Sequence, residues 1–306
     1  MSGKLSLIIA TKDRLADLRR LFDSLRVQTI QPAEIVIVDA GSEAVDCVVA
    51  EFPELTIRYL RHWPPSAAAQ RNAGIRACSP SATLVGFADD DTTFEPGAIE
   101  AMLNFWKKAD PDVLGAAFNM LNCLMPPGQF LKHSRLSHAL GLYSAKSGGV
   151  ARSGWQSVTG RVETTRFVEW LQSGAVIWRR SALEGSAFDE FFETYSYLED
   201  LDLSYSIGQR GRLAIVAEAG YRHFPASGGR ISERRFGCLE VRNRLYFVRK
   251  HGLSIPRCLL AIAIRFLMTL SSALLRFDGG MFARAAGNLE GLIALFAPHR
   301  REPVSA

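Results

Sequence analysis

Along the first third of the chain, unbroken apolar runs of strand length alternate with stretches whose apolar residues recur at helical spacing. Leu5-Ser6-Leu7-Ile8-Ile9-Ala10 is one such run, and Leu15, Leu18, Leu21, Phe22 and Leu25 after it mark one face of a helix. Pro32 closes the connection, and Glu34-Ile35-Val36-Ile37-Val38-Asp39 predicts a second strand that ends on a carboxylate. Val45–Phe52 predicts a helix, Thr56–Tyr59 a third strand, Ala67–Ala77 a helix, Thr83–Ala88 a fourth strand, and Pro96–Lys107 a helix with Pro near its start. Near-continuous apolar strands separated by helices imply a parallel sheet covered on both faces, with right-handed crossovers. The expected fold class is α/β, a Rossmann-like, mostly parallel sheet flanked by helices. No G-x-G-x-x-G follows the first strand and no Walker A sequence is present, so the usual dinucleotide and ATP fingerprints are excluded.

The fourth strand delivers three consecutive carboxylates, Asp89-Asp90-Asp91. In open α/β sheets the carboxyl edge of the strands is where ligands bind. Three acids there repel one another unless something positive joins them, and a hard divalent cation completed by phosphate oxygens and water suits the cluster. The competing reading is a solvated acidic turn.

Composition changes this picture little. The chain has 306 residues, 48% hydrophobic and 22% charged, enough for a large α/β domain with an appendage. Its five cysteines are scattered without a C-x-x-C pair, which predicts reduced thiols rather than a disulfide or zinc framework. The opening Met1-Ser2-Gly3-Lys4 runs directly into the first strand, and the expected location is cytoplasmic. Charge is uneven: Gly228–Ala306 holds 13 Lys/Arg against 5 Asp/Glu, a net of +8, whereas the preceding residues carry 23 against 26. The C-terminal part is therefore expected to meet something anionic, a membrane surface or a phosphorylated ligand; without a recognisable binding motif, nucleic acid is not expected.

Further pieces are specific. Leu5–Arg14, Ser24-Leu25, Gln28-Thr29, Glu34–Asp39, Pro64-Pro65-Ser66, Arg71-Asn72-Ala73-Gly74-Ile75 and Phe87–Asp91 occur in that order. Glu169–Gly174, Arg179-Arg180, Phe188-Asp189-Glu190, Tyr197–Leu203, Arg242-Asn243-Arg244, Phe247 and Lys250-His251 follow. Together they resemble family 2 glycosyltransferases of GT-A fold, across about Lys4–Gly252. The resemblance implies an inverting, metal-dependent enzyme that moves a sugar from a nucleotide diphosphate sugar to a hydroxyl on a glycan or lipid-linked acceptor, in polysaccharide or glycolipid biosynthesis. It implies residues 1–252 as the catalytic domain, with about 1–110 the nucleotide-sugar half and 111–252 the acceptor half. Residues 253–306 would be a C-terminal helical appendage.

Site roles follow from the same resemblance. Asp89 and Asp91 form a D-x-D element in which Asp91 binds Mg²⁺ or Mn²⁺, Asp89 reaches ribose or metal, and Asp90 lies nearby. Thr11 and Asp39 resemble residues that hold the nucleoside, while Arg14 and Arg71 have the guanidinium geometry for diphosphate oxygens, the alternatives being a helix-surface Arg14 and an Arg71 that neighbours a helix cap. Asp200 aligns with the catalytic base and Glu199 with its acceptor-side neighbour. Asp202 caps or braces the helix that follows, Leu203–Arg210, closed by Gly211, although by chemistry alone Glu199, Asp200 and Asp202 read as acids in a helix's first turn. His223 is either a third metal ligand or a structural histidine, and Trp170 and Gly174 line an acceptor pocket, with core packing the alternative for Trp170. Leu131–Arg166 lacks periodicity and predicts acceptor-side loops. Two other classes compete: a sugar-1-phosphate nucleotidyltransferase, disfavoured by the missing Gly-rich basic signature, and a catalytically silent sugar-nucleotide-binding scaffold.

Beyond Gly252 the character shifts. Cys258–Leu275 is apolar except for Arg265 and a few hydroxyls, and on a helix Arg265, Thr269, Ser272 and Arg276 share one face. An interfacial helix on the inner membrane face, with that Arg stripe turned to phosphate headgroups, is the expectation. Met281–Ala297 predicts a second apolar segment, and the alternative is a helical hairpin packed on the domain or in a homodimer.

Overall fold

Glu34–Asp39 is buried at every position, because this strand sits inside a sheet with both faces covered. The computed structural model describes residues 3–123, 134–192, 196–225 and 231–294. In chain order the elements of the first part are β1 (Leu5–Thr11), α1 (Leu15–Arg26), β2 (Glu34–Asp39), α2 (Asp46–Ala50), β3 (Ile57–Arg61), α3 (Ala67–Ala77) and β4 (Leu84–Asp89). Next come β5 (Thr92–Phe94), α4 (Ala98–Lys108), β6 (Val113–Met120), α5 (Arg135–Ala139), β7 (Arg166–Val168), β8 (Ala175–Arg179), α6 (Arg180–Leu183), α7 (Glu199–Gly208) and β9 (Arg212–His223). The final part holds α8 (Glu233–Lys250), α9 (Ile255–Arg276) and α10 (Gly279–Ala294).

The strands form one sheet in the order β3-β2-β1-β4-β8-β6-β9-β5, with β7 paired to β9. The first four run parallel, as their continuous apolar pattern predicts. The four strands expected from the sequence are thus parallel; beyond them the sheet is mixed, with β6 and β9 parallel, β8 antiparallel to both β4 and β6, and β5 and β7 antiparallel to β9. A strand buried on both faces carries the same pattern in either direction, so periodicity could not reveal the reversal.

Two apolar layers cover the sheet. Leu18, Leu21, Phe22 and Leu25 of α1 and Ile99 and Met102 of α4 pack on one face against Leu7, Ile9 and Ile37. On the other, Ala68, Phe188, Leu203 and Ile207 pack against Ile8, Val36, Val38 and Trp178. Each such side chain stabilises the fold by roughly 1.5–3 kcal/mol when fully buried. Helix α3 comes so close to β1 that a Cβ at Gly74 would overlap the Ile8 side chain.

Several boundaries differ from expectation. Helix α7 begins at Glu199 rather than Leu203, so Asp202 lies inside it and does not cap it; Gln209 is its C-cap, and Gly211 falls beyond. The residue before it, Leu198, has φ 79°, a left-handed conformation that is costly for a bulky side chain. Within the expected loop stretch, residues 131–133 lie outside the described residues, whereas 134–166 hold α5, turns and a bridge between Val150 and Gln156. Cys78 and Cys258 are buried free thiols, and Cys47 is exposed.

The chain divides into two compact units, Met1–His138, Tyr143–Val150 and Gln156–Gly229 in one, and Ala139–Leu142, Ala151–Trp155 and Arg230–Ala306 in the other. The boundary expected after Gly252 thus falls inside the second unit, which includes α8. In that unit Gly237 and Gly287 let α8 and α10 approach until a Cβ at either would meet the partner's backbone. Its interior holds a polar cluster among apolar residues such as Leu245, Phe247 and Ile262. Buried Glu240 accepts from Arg284 at 3.2 Å, Asn288 at 3.2 Å and Arg265 at 3.4 Å. Burial pushes the Glu240 carboxyl up, but the two guanidinium groups outweigh it and hold it below its ordinary value. This corrects part of the expected orientation of α9: Arg265 turns to Glu240 and Thr269 is buried, so those two face the bundle, whereas Arg276 is exposed.

Candidate functional site

Register lines the site residues along one sheet edge. Thr11 pairs with Asp39, Asp39 with Arg61, and Ala10 with Asp89, so the ends of β1, β2, β3 and β4 form a row. Asp90 and Asp91 follow β4 directly. His223 reaches them because the short β5 pairs antiparallel with β9, placing Thr92 opposite His223, and Phe224 donates its N–H to the Asp91 carbonyl at 2.8 Å. Gly174, just before β8, accepts the Asp89 N–H at 3.0 Å.

Asp89, Asp91 and His223 offer ligand atoms that all lie within 4.8 Å of one another. Two carboxylates and an imidazole on one side, with a half-buried approach, fit an oxygen-preferring divalent cation such as Mg²⁺ or Mn²⁺. His223 Nε2 lies 3.0 Å from Asp91, a hydrogen bond that raises the imidazole pKa against the opposing pull of burial. Asp90 points elsewhere. It accepts from Thr11 and Arg14, each at 2.8 Å, and burial pushes it up to about 6 although Arg14 and Thr11 oppose the shift. Arg14 also lies 3.6 Å from Asp91.

A second acidic pair stands at the start of α7. Buried Arg71 donates to Glu199 at 2.6 Å and to Asp89 at 2.9 Å, and its guanidinium lies 5.4 Å from the Phe188 ring centroid. Burial disfavours its charge, but Asp89 and Glu199 outweigh this and hold it protonated. Burial also pushes the carboxyls of Glu199 and Asp200 up, each raised further by a neighbouring acid, with Arg71 opposing in both. Glu199 is fully buried against Arg71, whereas Asp200 is half-buried and accepts the Leu201 N–H at 2.7 Å.

Other expected site residues sit as follows. Asp39 is wholly buried and accepts from Gly41 N at 2.7 Å, Tyr59 Oη at 2.8 Å and Arg61 at 2.6 Å, so its oxygens are committed to the loop after β2 and to β3. Trp170 is buried and donates to the Ser157 carbonyl at 2.9 Å; it also lines a cleft with Thr159, Gly160, Gln172 and Tyr221. A Cβ at Gly174 would lie 3.2 Å from Tyr221 Oη and 3.5 Å from Asp89, so a larger residue would crowd that carboxylate.

Sequence reasoning missed Tyr59, Arg61, Asp13 and Tyr221. The third strand was expected to end at Tyr59, two residues short of Arg61, although a charged residue at a parallel strand's end was the available signal. Asp13, at φ 55°, accepts from Ser42 N at 2.6 Å and Ser42 Oγ at 2.8 Å, stitching the loops after β1 and β2 together.

Residues 6–135 match the family model of glycosyl transferase family 2. The matched segment contains Thr11, Arg14, Asp39, Arg71 and all three aspartates, and ends before Glu199, Asp200 and His223. One relative, the uncharacterized glycosyltransferase YwdF of Bacillus subtilis (strain 168), is 38% identical over 108 residues, covering 35% of this chain and 40% of the relative. The alignment thus spans two fifths of that relative's length. The fold is similar to a mannosyltransferase, PcManGT of Pyrobaculum calidifontis, solved with GDP-Man and Mn²⁺ (TM-score 0.56, 14% identity, 95% of this chain and 88% of that one). It is likewise similar to S. aureus TarS 1-349 in complex with UDP-GlcNAc (TM-score 0.54, 15% identity, 97% and 93%). The segment that matches the family model therefore lies in a GT-A-type sheet, with helices following it.

Proposed function

We propose that the first unit is a glycosyltransferase that moves a sugar from a nucleotide diphosphate sugar to a hydroxyl acceptor, with inversion at the anomeric carbon. The observation that carries this reading is the placement of Asp89, Asp91 and His223 within 4.8 Å of one another, linked through Arg71 to the Glu199–Asp200 pair. A relative named as a glycosyltransferase, and two fold neighbours solved with sugar nucleotides, one of them a mannosyltransferase, support it.

Asp89, Asp91 and His223 would hold Mg²⁺ or Mn²⁺, which when bound supplies positive charge to the leaving diphosphate. Arg14, beside the metal ligands and part-exposed, adds a guanidinium facing the same region. Asp200 takes the proton from the acceptor hydroxyl as its oxygen bonds to the anomeric carbon and the carbon–oxygen bond to the diphosphate breaks on the opposite face. Two observations favour Asp200 over Glu199 as the base: its half-exposed position, and the commitment of Glu199 to Arg71. Arg71, with its guanidinium spent on Asp89 and Glu199, braces the donor-side and acceptor-side acids instead of holding diphosphate oxygens. Asp39 acts through Tyr59, Arg61 and the Gly41 loop, which it fixes for a nucleoside. Trp170 and Gly174 border the acceptor side.

The test is a panel of nucleotide diphosphate sugars incubated with the purified chain and Mn²⁺, read as release of nucleoside diphosphate with and without hydroxyl acceptors. Release that requires metal supports the transferase. Exchange of pyrophosphate into a sugar nucleotide would instead indicate a nucleotidyltransferase, and binding without turnover a silent scaffold.

A further inference from the structure

The second unit combines a buried polar cluster with a broad apolar outer surface. Its interior holds Glu240, Arg265, Arg284 and Asn288, joined by hydrogen bonds. Its outer surface on α9 carries Leu259, Leu260, Leu267, Met268, Leu274 and Leu275, with Leu267 59% and Leu275 82% exposed. Phe282, Leu289 and Ile293 continue the apolar surface on α10, and Phe277, 91% exposed, stands at the turn between the two helices. Helix α9 is the one helix among the described residues that is long and apolar enough to cross a membrane, yet only 28% of its apolar window is buried. Exposed apolar area of this extent on a monomer marks a surface that meets another phase or partner.

Charge selects the occupant. Between Arg257 and Arg276 every exposed residue of α9 is uncharged, because Arg265 turns inward, and both flanking arginines are exposed. A self-complementary dimer through this face would bring like-charged strip ends together, since an isologous interface pairs each patch with itself. Anionic headgroups complement both ends at once, and the segment Gly228–Ala306 carries a net charge of +8. The side of α9 that carries Cys258, Ala261, Ile262, Thr269 and Ala273 is covered and Arg265 pairs with Glu240 of α8, so the helix leaves one apolar face outward, the pattern of an interfacial helix.

We propose that the outer face of α9 and α10 docks on an anionic lipid bilayer, with its leucines and Phe277 in the acyl boundary and Arg257 and Arg276 at headgroup phosphates. The inference rests on the second unit alone and is independent of the transferase reading.

The experiment is co-sedimentation of the full chain with phosphatidylcholine vesicles, with and without phosphatidylglycerol, alongside light scattering. Wild type is expected to sediment with the anionic vesicles. Leu260→Ser/Leu267→Ser/Leu275→Ser should lower partitioning more than about tenfold at any salt concentration. Arg257→Glu/Arg276→Glu should lower it by about fivefold or more per residue at low salt, and less at high salt. Wild type remaining in the supernatant, or sedimentation unchanged by the triple serine variant, overturns the proposal. So does a stable dimer that the serine variant dissociates while vesicles capture nothing. Should that variant misfold, Leu267→Trp replaces it. Added quenching by brominated acyl chains, above the wild-type level, supports docking, and none overturns it.

Discussion

At the level of single residues, the two acidic groups divide the chemistry by their surroundings. Asp91 shares a 4.8 Å cluster with Asp89 and His223, and it contributes little apolar packing. Asp91→Asn should therefore lower metal-dependent turnover by about 10²-fold or more while leaving thermal unfolding close to wild type. Retained activity with unchanged Mn²⁺ dependence would remove Asp91 from the metal site. Asp200→Asn should lower kcat by about 10²–10⁴-fold and spare donor binding, since only proton abstraction is lost. A collapse of donor affinity with kcat intact would place Asp200 on the donor side. Burial raises the carboxyls of Glu199 and Asp200, so the base ionises at higher pH than an ordinary carboxyl. Activity should accordingly rise with pH along an acid limb lying above the usual carboxylate range near about 4, and that limb should be absent from the residual activity of Asp200→Asn.

Among the elements, close approaches and buried ion pairs set the stability. Gly74 of α3 lies where a Cβ would overlap Ile8 of β1, both deep in the sheet's cover. Gly74→Ala would gain about 1 kcal/mol of helix propensity but lose about 1–3 kcal/mol to overpacking, so a lowered melting temperature is expected. An unchanged or raised value would mean that α3 moves off the strand at no cost. In the second unit, Glu240→Leu leaves Arg265 and Arg284 facing each other without their carboxylate and should destabilise that unit by about 3–5 kcal/mol in denaturant unfolding. The folded pKa of Glu240 is depressed, so its contribution is complete above the unfolded value near 4.5 and is lost as pH falls through the lower folded value. Wild type should therefore lose part of its advantage over Glu240→Leu in acid, and an advantage that grew there would contradict the pairing.

For the whole molecule, ligand binding at the proposed site would be coupled to folding of the first unit. A group that binds only the native state stabilises it by about 2.7 kcal/mol at a hundred times its dissociation constant. Mn²⁺ together with a nucleoside diphosphate should raise the melting temperature of wild type, and much less that of Asp91→Asn. Equal stabilisation of both proteins would show that the nucleotide binds away from the aspartates.

The sequence by itself determined the local pattern and much of the site. The runs ending at Thr11, Asp39 and Asp89 were legible because strands buried on both faces must be apolar throughout, and α3 emerged with the bounds its pattern indicated, Ala67–Ala77. The aspartates were conspicuous because charge at the end of such a strand has no packing reason to be there. Direction and distance were decided only by the tertiary structure. The reversal of β8 leaves no trace in its burial pattern, and His223 meets Asp91 through the pairing of β5 with β9, across more than a hundred residues of chain. The guanidinium of Arg71 was equally suited to phosphate or carboxylate, and the fold set it between Glu199 and Asp89. Periodicity correctly put Arg265 and Thr269 on one face of α9, but which face met water depended on the one partner that a helical wheel does not contain, the buried carboxylate of Glu240.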